Sequence, residues 1–327
     1  MPEISPVKIG NHLVGDGQRT YVIAEIGINH NGDVAIAKKL IDLAVTAGAD
    51  AVKFQTRSVE TVYSPSELAK PRPVPRAILE NAIRRGVLPI ERVRRLTESD
   101  FENSTNGDLK RALELTDGEL REIDTYCQKA GIAWFTSCWD VEAVKRIERL
   151  SNVPCHKIAS PCNEDDELLR ALRQTGKPLI LSTGMTELQG VDQAVKELGR
   201  ENLVILHCTS VYPKGTEAGE EILQLINLRG MDTLRKRFGV PVGFSSHDSG
   251  IMPSYAAAAR GACVIEKHVT LERSMWGSDQ GSSIEPLPLT NLCRMVRELS
   301  VALGNGEIVI YPDEEAVAKK LRRVRRS

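Results

Sequence analysis

Apolar runs of strand length that turn polar at their carboxyl ends recur along the chain. They are YVIAEI (21–26), AVKFQT (51–56), IAWFTS (132–137), CHKIAS (155–160), PLILST (178–183), LVILHC (203–208), PVGFSS (241–246) and CVIEKH (263–268). Amphipathic stretches with helical spacing lie between them, among them DVAIAKKLIDLAVTAG (33–48), DVEAVKRIERL (140–150), EDDELLRALRQTG (164–176) and TELQGVDQAVKELG (186–199). Several begin near an Asp, Glu or Thr and end near a Gly, as helix caps require. Strand and helix alternating in this way predict a parallel α/β fold. Eight such units over about 250 residues predict a TIM (β/α)8 barrel, with its active site at the carboxyl ends of the strands.

A doubly wound open sheet is the competing architecture. The turn after the first run, GINHNGD, lacks the G-x-G-x-x-G spacing of a dinucleotide-binding sheet. Residues 1–20 contain VKIGNHLVGDG, read as a β-hairpin plugging the barrel floor. The barrel is expected over 21–305 and a tail over 306–327. Between about 57 and 116 the rhythm breaks at SPSELAKPRPVPRA and ENSTNGDLKR, which predicts a long lid-like insertion after the second strand, with two short helical pieces.

Each strand end carries chemistry: Glu25 and Asn29, Lys53 and Gln55, Ser137, Lys157 and Ser160, Ser182 and Thr183, Thr209 and Ser210, Ser245 and His247, Glu266 and His268. Reacting groups of a barrel site converge from different strands, so polarity repeated at one end is the pattern such a site needs. With a period of two, Glu266 and His268 share a face and Lys267 points the other way, to snorkel among the outer helices. His247 and His268 could bind one divalent metal through two imidazoles, or form a hydrogen-bonded core pair. Glu266 is either an orienter for His268 or an ion-pair partner for a mouth lysine.

Lys53 and Lys157 place two cations in one mouth, an arrangement that calls for a bound phosphate or carboxylate. A Schiff-base lysine is the rival reading. The acids in SPCNEDDE compensate a helix dipole, STGM (182–185) is a tight turn whose backbone can approach a ligand, and His207 is read as a satisfied interior histidine.

The composition narrows the class. With 41% hydrophobic and 27% charged residues, and 43 basic against 44 acidic side chains, the net charge is −1. No global field favours nucleic acid or an anionic membrane. No run reaches the length of a spanning helix, and the start lacks a signal-peptide core, so a cytoplasmic protein is expected. Seven cysteines without a C-x-x-C pair predict reduced, mostly buried thiols.

The motifs AEIGINHNGD, AVKFQT, HKIAS, LILSTGM, LHCTSVYP, GFSSHDSG, EKHVTL and WGSDQGSSIEP occur in this order. Over roughly residues 6 to 305 the chain resembles the sialic acid (N-acetylneuraminate) synthase family. The resemblance implies metal-dependent condensation of phosphoenolpyruvate with an aldose such as N-acetylmannosamine, giving a nonulosonic acid and phosphate. It implies His247 and His268 as metal ligands, with Mn2+ the usual ion and Mg2+ or Co2+ as alternatives. Lys53, Ser137, Lys157, Ser160, Ser210 and Ser245 resemble phosphoenolpyruvate positions, Glu25 the acid/base, and Gln55, Tyr212 and Asp279 sugar contacts. Asn106 and Lys110 in the insertion are assigned to sugar or phosphate.

Ser210 replaces an asparagine of some members, and Cys162 an acid. Many members carry a C-terminal antifreeze-like (SAF) domain that lends an arginine to a partner's sugar site. The chain ends at Ser327, where the linker to that domain would begin, so a barrel without the SAF domain is expected, with a homodimer as the partner arrangement to test. The acceptor stays open among N-acetylmannosamine, mannose, a sugar 6-phosphate, a diacetamido-trideoxyhexose and a shorter aldose. A Schiff-base pyruvate aldolase and a non-catalytic sugar-phosphate-binding barrel are the other two readings.

Overall fold

The computed structural model describes residues 4–211 and 220–324. An antiparallel hairpin comes first, β1 (Val7–Ile9) and β2 (His12–Val14). Eight further strands follow: β3 (Tyr21–Gly27), β4 (Ala51–Thr56), β5 (Ala133–Cys138), β6 (His156–Ile158), β7 (Leu179–Ser182), β8 (Leu203–Thr209), β9 (Val242–Ser246) and β10 (Val264–His268). They pair in parallel, each with the next, and β10 pairs with β3 to close the barrel. Closure, with no free edge, settles the architecture against an open sheet. Strands buried on both faces read as continuous apolar runs because water meets neither side.

The helices form where the sequence caps them. Asp33 accepts from the backbone N–H groups of Ala35 and Ile36 at the start of helix Val34–Ala47, and Gly48 ends it with φ of 81°. Its buried positions, Ala37, Leu40, Ile41, Ala44 and Ala47, fall at helical spacing and face the barrel. Asp140 and Asp165 cap helices Val141–Leu150 and Asp166–Gln174 in the same way, so one of the acids in SPCNEDDE is an N-cap. The hairpin sits at the amino ends of the strands: Val7, Ile9 and Val14 are buried in the core, and the His12 ring lies edge-on to Tyr21, the first residue of β3.

The insertion holds more structure than two helical pieces. It contains helices Val59–Val62, Pro65–Ala69, Arg76–Arg84, Ile90–Glu98 and Asn106–Leu113. Leu79, Ala82, Leu96, Leu109, Ala112 and Leu113 form a second apolar cluster with Ile28 from the loop after β3. Short apolar spacings broken by prolines hid this, because each helix is too short to show a sustained period. All seven cysteines are free and buried, as expected.

Candidate active site

Strand register sets the rim. His268 is the partner of Glu25, and Glu25 of Lys53. Gln55 pairs with Ser137, Ser137 with Lys157, and Glu266 with Ser245. Between Glu25 and Gly27 the register of β3 slips, and Gly27 takes φ of 55°. A Cβ there would stand 3.1 Å from both Glu25 Oε1 and Gln55 Nε2, so the glycine leaves room where rim side chains crowd the backbone.

Lys53 Nζ donates to Ser137 Oγ at 2.9 Å and lies 2.8 Å from Glu25 Oε2 and 3.8 Å from Glu266 Oε2. Lys157 Nζ donates to Ser182 Oγ at 2.6 Å and lies 3.9 Å from Glu266 Oε1. Ser245 Oγ donates to the same Glu266 oxygen at 3.1 Å. The two lysines are therefore not bare cations awaiting an anion, since two buried glutamates already face them. Glu266 is the ion-pair partner of the mouth lysines, which decides between the two roles open for it.

Burial opposes ionisation of both acids, and the two lysines set them apart. Burial raises Glu25 to about 7, although Lys53 pulls the other way and Glu266 adds to the rise. Glu266 is also opposed by burial, but Lys157 and Lys53 together hold it below its ordinary range. One carboxyl is thus poised to exchange a proton near neutrality and the other stays an anion. Burial lowers Lys157, with Lys53 adding to the effect. Lys53 stays high because Glu25 and Glu266 outweigh its burial.

The rings of His247 and His268 stand 5.3 Å apart between centroids, 40° from coplanar. His268 Nδ1 is buried with no hydrogen-bond partner among the described residues, and burial keeps this ring below the ordinary histidine range. An orphaned nitrogen on a neutral imidazole beside a second imidazole fits a metal ligand. Among the described residues no group of three or more His, Cys, Asp or Glu is placed to hold an ion, and an ion on this pair alone would take its remaining ligands from water and substrate oxygens.

Ser160 and Ser210 flank Gly184 closely: a Cβ on Gly184 would lie 2.2 Å from Ser210 Oγ and 2.6 Å from Ser160 Oγ. Asn163 Nδ2 donates to the Gly184 carbonyl at 2.9 Å, pinning the turn of STGM. Asp279 is half-buried on the loop after β10, and its charge reaches His268. Asn106 stays inside the insertion, where its amide nitrogen donates to the Glu67 carbonyl at 3.4 Å, and none of its bonds goes to a rim residue. Lys110 Nζ lies 4.9 Å above the Tyr63 ring. Tyr212 lies outside the described residues. His207 Nε2 bonds the Ile226 carbonyl at 2.9 Å, as a satisfied histidine would.

Two corrections concern cations. Lys267 does not snorkel among the outer helices. It is fully buried, 2.9 Å from Asp248 Oδ1, because the turn after the neighbouring strand β9 supplies a counter-ion that keeps the ammonium in place. Arg57 is a rim neighbour that the strand-end survey missed. Its Nη2 donates to Gln55 Oε1 at 3.1 Å, and Gln55 Nε2 donates to Glu25 Oε1 at 3.2 Å. Its Nε is 2.6 Å from Glu114 Oε1, so a buried pair closes the insertion at its two ends. The signal was present, since 53, 55 and 57 share one face at period two.

Comparison with known proteins places the chain in a family. A model of the NeuB family matches residues 87–308. The human N-acetylneuraminate-9-phosphate synthase is 34% identical over 312 residues, 94% of this chain and 78% of the human one. The N,N'-diacetyllegionaminic acid synthase of Campylobacter jejuni is 34% identical over 294 residues, 88% of this chain and 79% of that protein. The crystal structure of an N-acetylneuraminic acid (sialic acid) synthetase from Leptospira borgpetersenii, in complex with citrate, superposes with a TM-score of 0.75 at 27% identity, covering 99% of this chain and 100% of that one.

Fold and relatives together define a carbon–carbon bond-forming transferase built on a (β/α)8 barrel. The chain belongs to the NeuB family.

Proposed function

We propose that the protein condenses phosphoenolpyruvate with an aldose of the N-acetylmannosamine type, giving a sialic-acid-like sugar and phosphate. The observation that carries this reading is the meeting of two lysines, two glutamates of opposed acidity and two imidazoles on one barrel rim. His247 and His268 would hold a divalent ion, Mn2+ in first place and Mg2+ or Co2+ otherwise. Bound there, the ion would polarise the aldehyde oxygen of the acceptor.

Lys53 and Lys157, with the hydroxyls of Ser137, Ser160, Ser210 and Ser245, bind and neutralise the phosphate and carboxylate of phosphoenolpyruvate. C3 of the enol phosphate attacks the aldehyde carbon, and the aldehyde oxygen takes up the proton held by Glu25 as the new hydroxyl. Water then adds at C2, losing one proton; as the bond from C2 to the bridging oxygen of the phosphate breaks, the added hydroxyl becomes the keto oxygen and its proton leaves with the phosphate. Glu25, ionising near neutrality, takes the proton of that water. Glu266, held below its ordinary range, offsets the charge of both lysines. Gln55 and Asp279 contact the sugar.

The acceptor is tested by phosphate release from phosphoenolpyruvate against N-acetylmannosamine, its 6-phosphate, mannose, arabinose and a diacetamido-trideoxyhexose, each with and without Mn2+. Release with one of these, dependent on the metal, supports the reading. Release with none of them removes it and leaves the non-catalytic binding barrel. Activity untouched by EDTA, with a pyruvate adduct trapped by borohydride on Lys53 or Lys157, points instead to the aldolase.

A further inference from the structure

Strands β9 and β10 each send one imidazole to the rim, and the same two strands are tied together on their other face. Lys267 Nζ lies 2.9 Å from Asp248 Oδ1 and 3.1 Å from Ser246 Oγ, and also donates to the Asp248 carbonyl. Ser246 and Lys267 are register partners. Asp248 Oδ2 accepts the Gly250 N–H at 3.1 Å, so the turn leaving β9 folds around the ammonium. Lys267 and Asp248 are both buried, with side chains 0% and 1% exposed. His247 sits between the two residues that the ammonium grips, and His268 follows the residue that does the gripping.

A buried ion pair is a poor way merely to hold two strands, because well-packed apolar residues of similar volume do that as well or better. What a multidentate ammonium adds is position: three directed contacts fix where residues 246–248 lie relative to β10, and hence where the two rings lie relative to each other. We propose that Lys267 and Asp248 are positioning residues for the metal site, a clamp on the outer face of the barrel that sets the spacing of His247 and His268. The proposal rests on the metal reading above. Partners of this kind typically change metal affinity about 10–100-fold when removed.

The test is a titration of the chelator-stripped full chain with Mn2+, followed by the EPR signal of the free ion. The wild type should show one site that His247→Ala and His268→Ala each abolish. Lys267→Met should weaken it about 10–100-fold. Because that change strands Asp248 in the interior and can unfold the chain, the double variant Lys267→Met/Asp248→Leu is made alongside it. Replacing both partners should restore the unfolding midpoint while Mn2+ affinity stays low. Full Mn2+ affinity in the restored double variant overturns the clamp and leaves the metal reading intact. A wild type with no histidine-dependent Mn2+ site sinks the metal reading and the clamp together.

Discussion

Lys53 Nζ lies 2.8 Å from Glu25 Oε2, both side chains buried, so the acid/base candidate and the lysine proposed to bind phosphoenolpyruvate are held as one unit. Burial nonetheless lifts Glu25 to about 7. The folded chain therefore keeps a proton that an unfolded glutamate releases near pH ~4.3. The linked stability falls as pH rises from that value to about 7 and is level above it. Chemical unfolding across this window should show Glu25→Gln losing that decline. The same variant should lower turnover roughly 10²–10⁴-fold; a Glu25→Gln protein with wild-type turnover would remove the residue from the chemistry.

Lys157 Nζ donates to Ser182 Oγ and stands near Glu266, with a second cation on the far side of the same carboxylate. Removing the ammonium takes away one charged contact to the substrate, about 1.5–3 kcal/mol. Lys157→Met is expected to weaken phosphoenolpyruvate binding by about 10–100-fold in calorimetry. Undiminished binding would place the substrate elsewhere.

Gly184 leaves space that two hydroxyls share. A methyl group at this position would stand 2.2 Å from Ser210 Oγ, 2.6 Å from Ser160 Oγ and 3.1 Å from Ser160 Cβ, so both hydroxyls must rotate away and Ser160 must shift by a few tenths of an ångström. Gly184→Ala should keep its fold, since two short side chains can move, and should raise KM for phosphoenolpyruvate while leaving Mn2+ affinity unchanged. A variant with unaltered KM would show that these serines do not touch the substrate.

The Arg57–Glu114 pair joins the first and last turns of the insertion, and Arg57 also fixes which end of the Gln55 amide faces Glu25. Glu114→Ala strands a buried guanidinium and is expected to cost about 3–5 kcal/mol, read as a lower urea midpoint. Arg57→Met should raise KM for the sugar more than KM for phosphoenolpyruvate, because Gln55 is free to turn its oxygen toward Glu25. Equal effects on both would assign Arg57 a purely structural part.

The barrel was legible because each strand is an unbroken apolar run ending in polar residues, and AVKFQT is a strand over the residues expected. Glu25, Lys53, Gln55, Ser137, Lys157, Ser245, Glu266 and His268 converge on the rim because strand register carries period-two positions to neighbouring levels of one barrel end, where the His247 ring meets that of His268. The insertion was not legible, since helices of four to nine residues packed on their own cluster leave no sustained period. Nor was the partner of Lys267, since it lies 19 residues away on the turn after β9 and meets the ammonium only once β9 and β10 pair. Among the described residues no helix is long and apolar enough to cross a membrane.

A metal at His247 and His268 and phosphoenolpyruvate at Lys53 and Lys157 are proposed to occupy one rim. The most direct test is the 31P relaxation of phosphoenolpyruvate bound to the Mn2+-loaded protein, because a paramagnetic ion accelerates relaxation only of nuclei close to it. The account predicts strong acceleration that disappears in His268→Ala and in Lys157→Met. Bound phosphoenolpyruvate relaxing at the same rate with Mn2+ as without it would contradict the account.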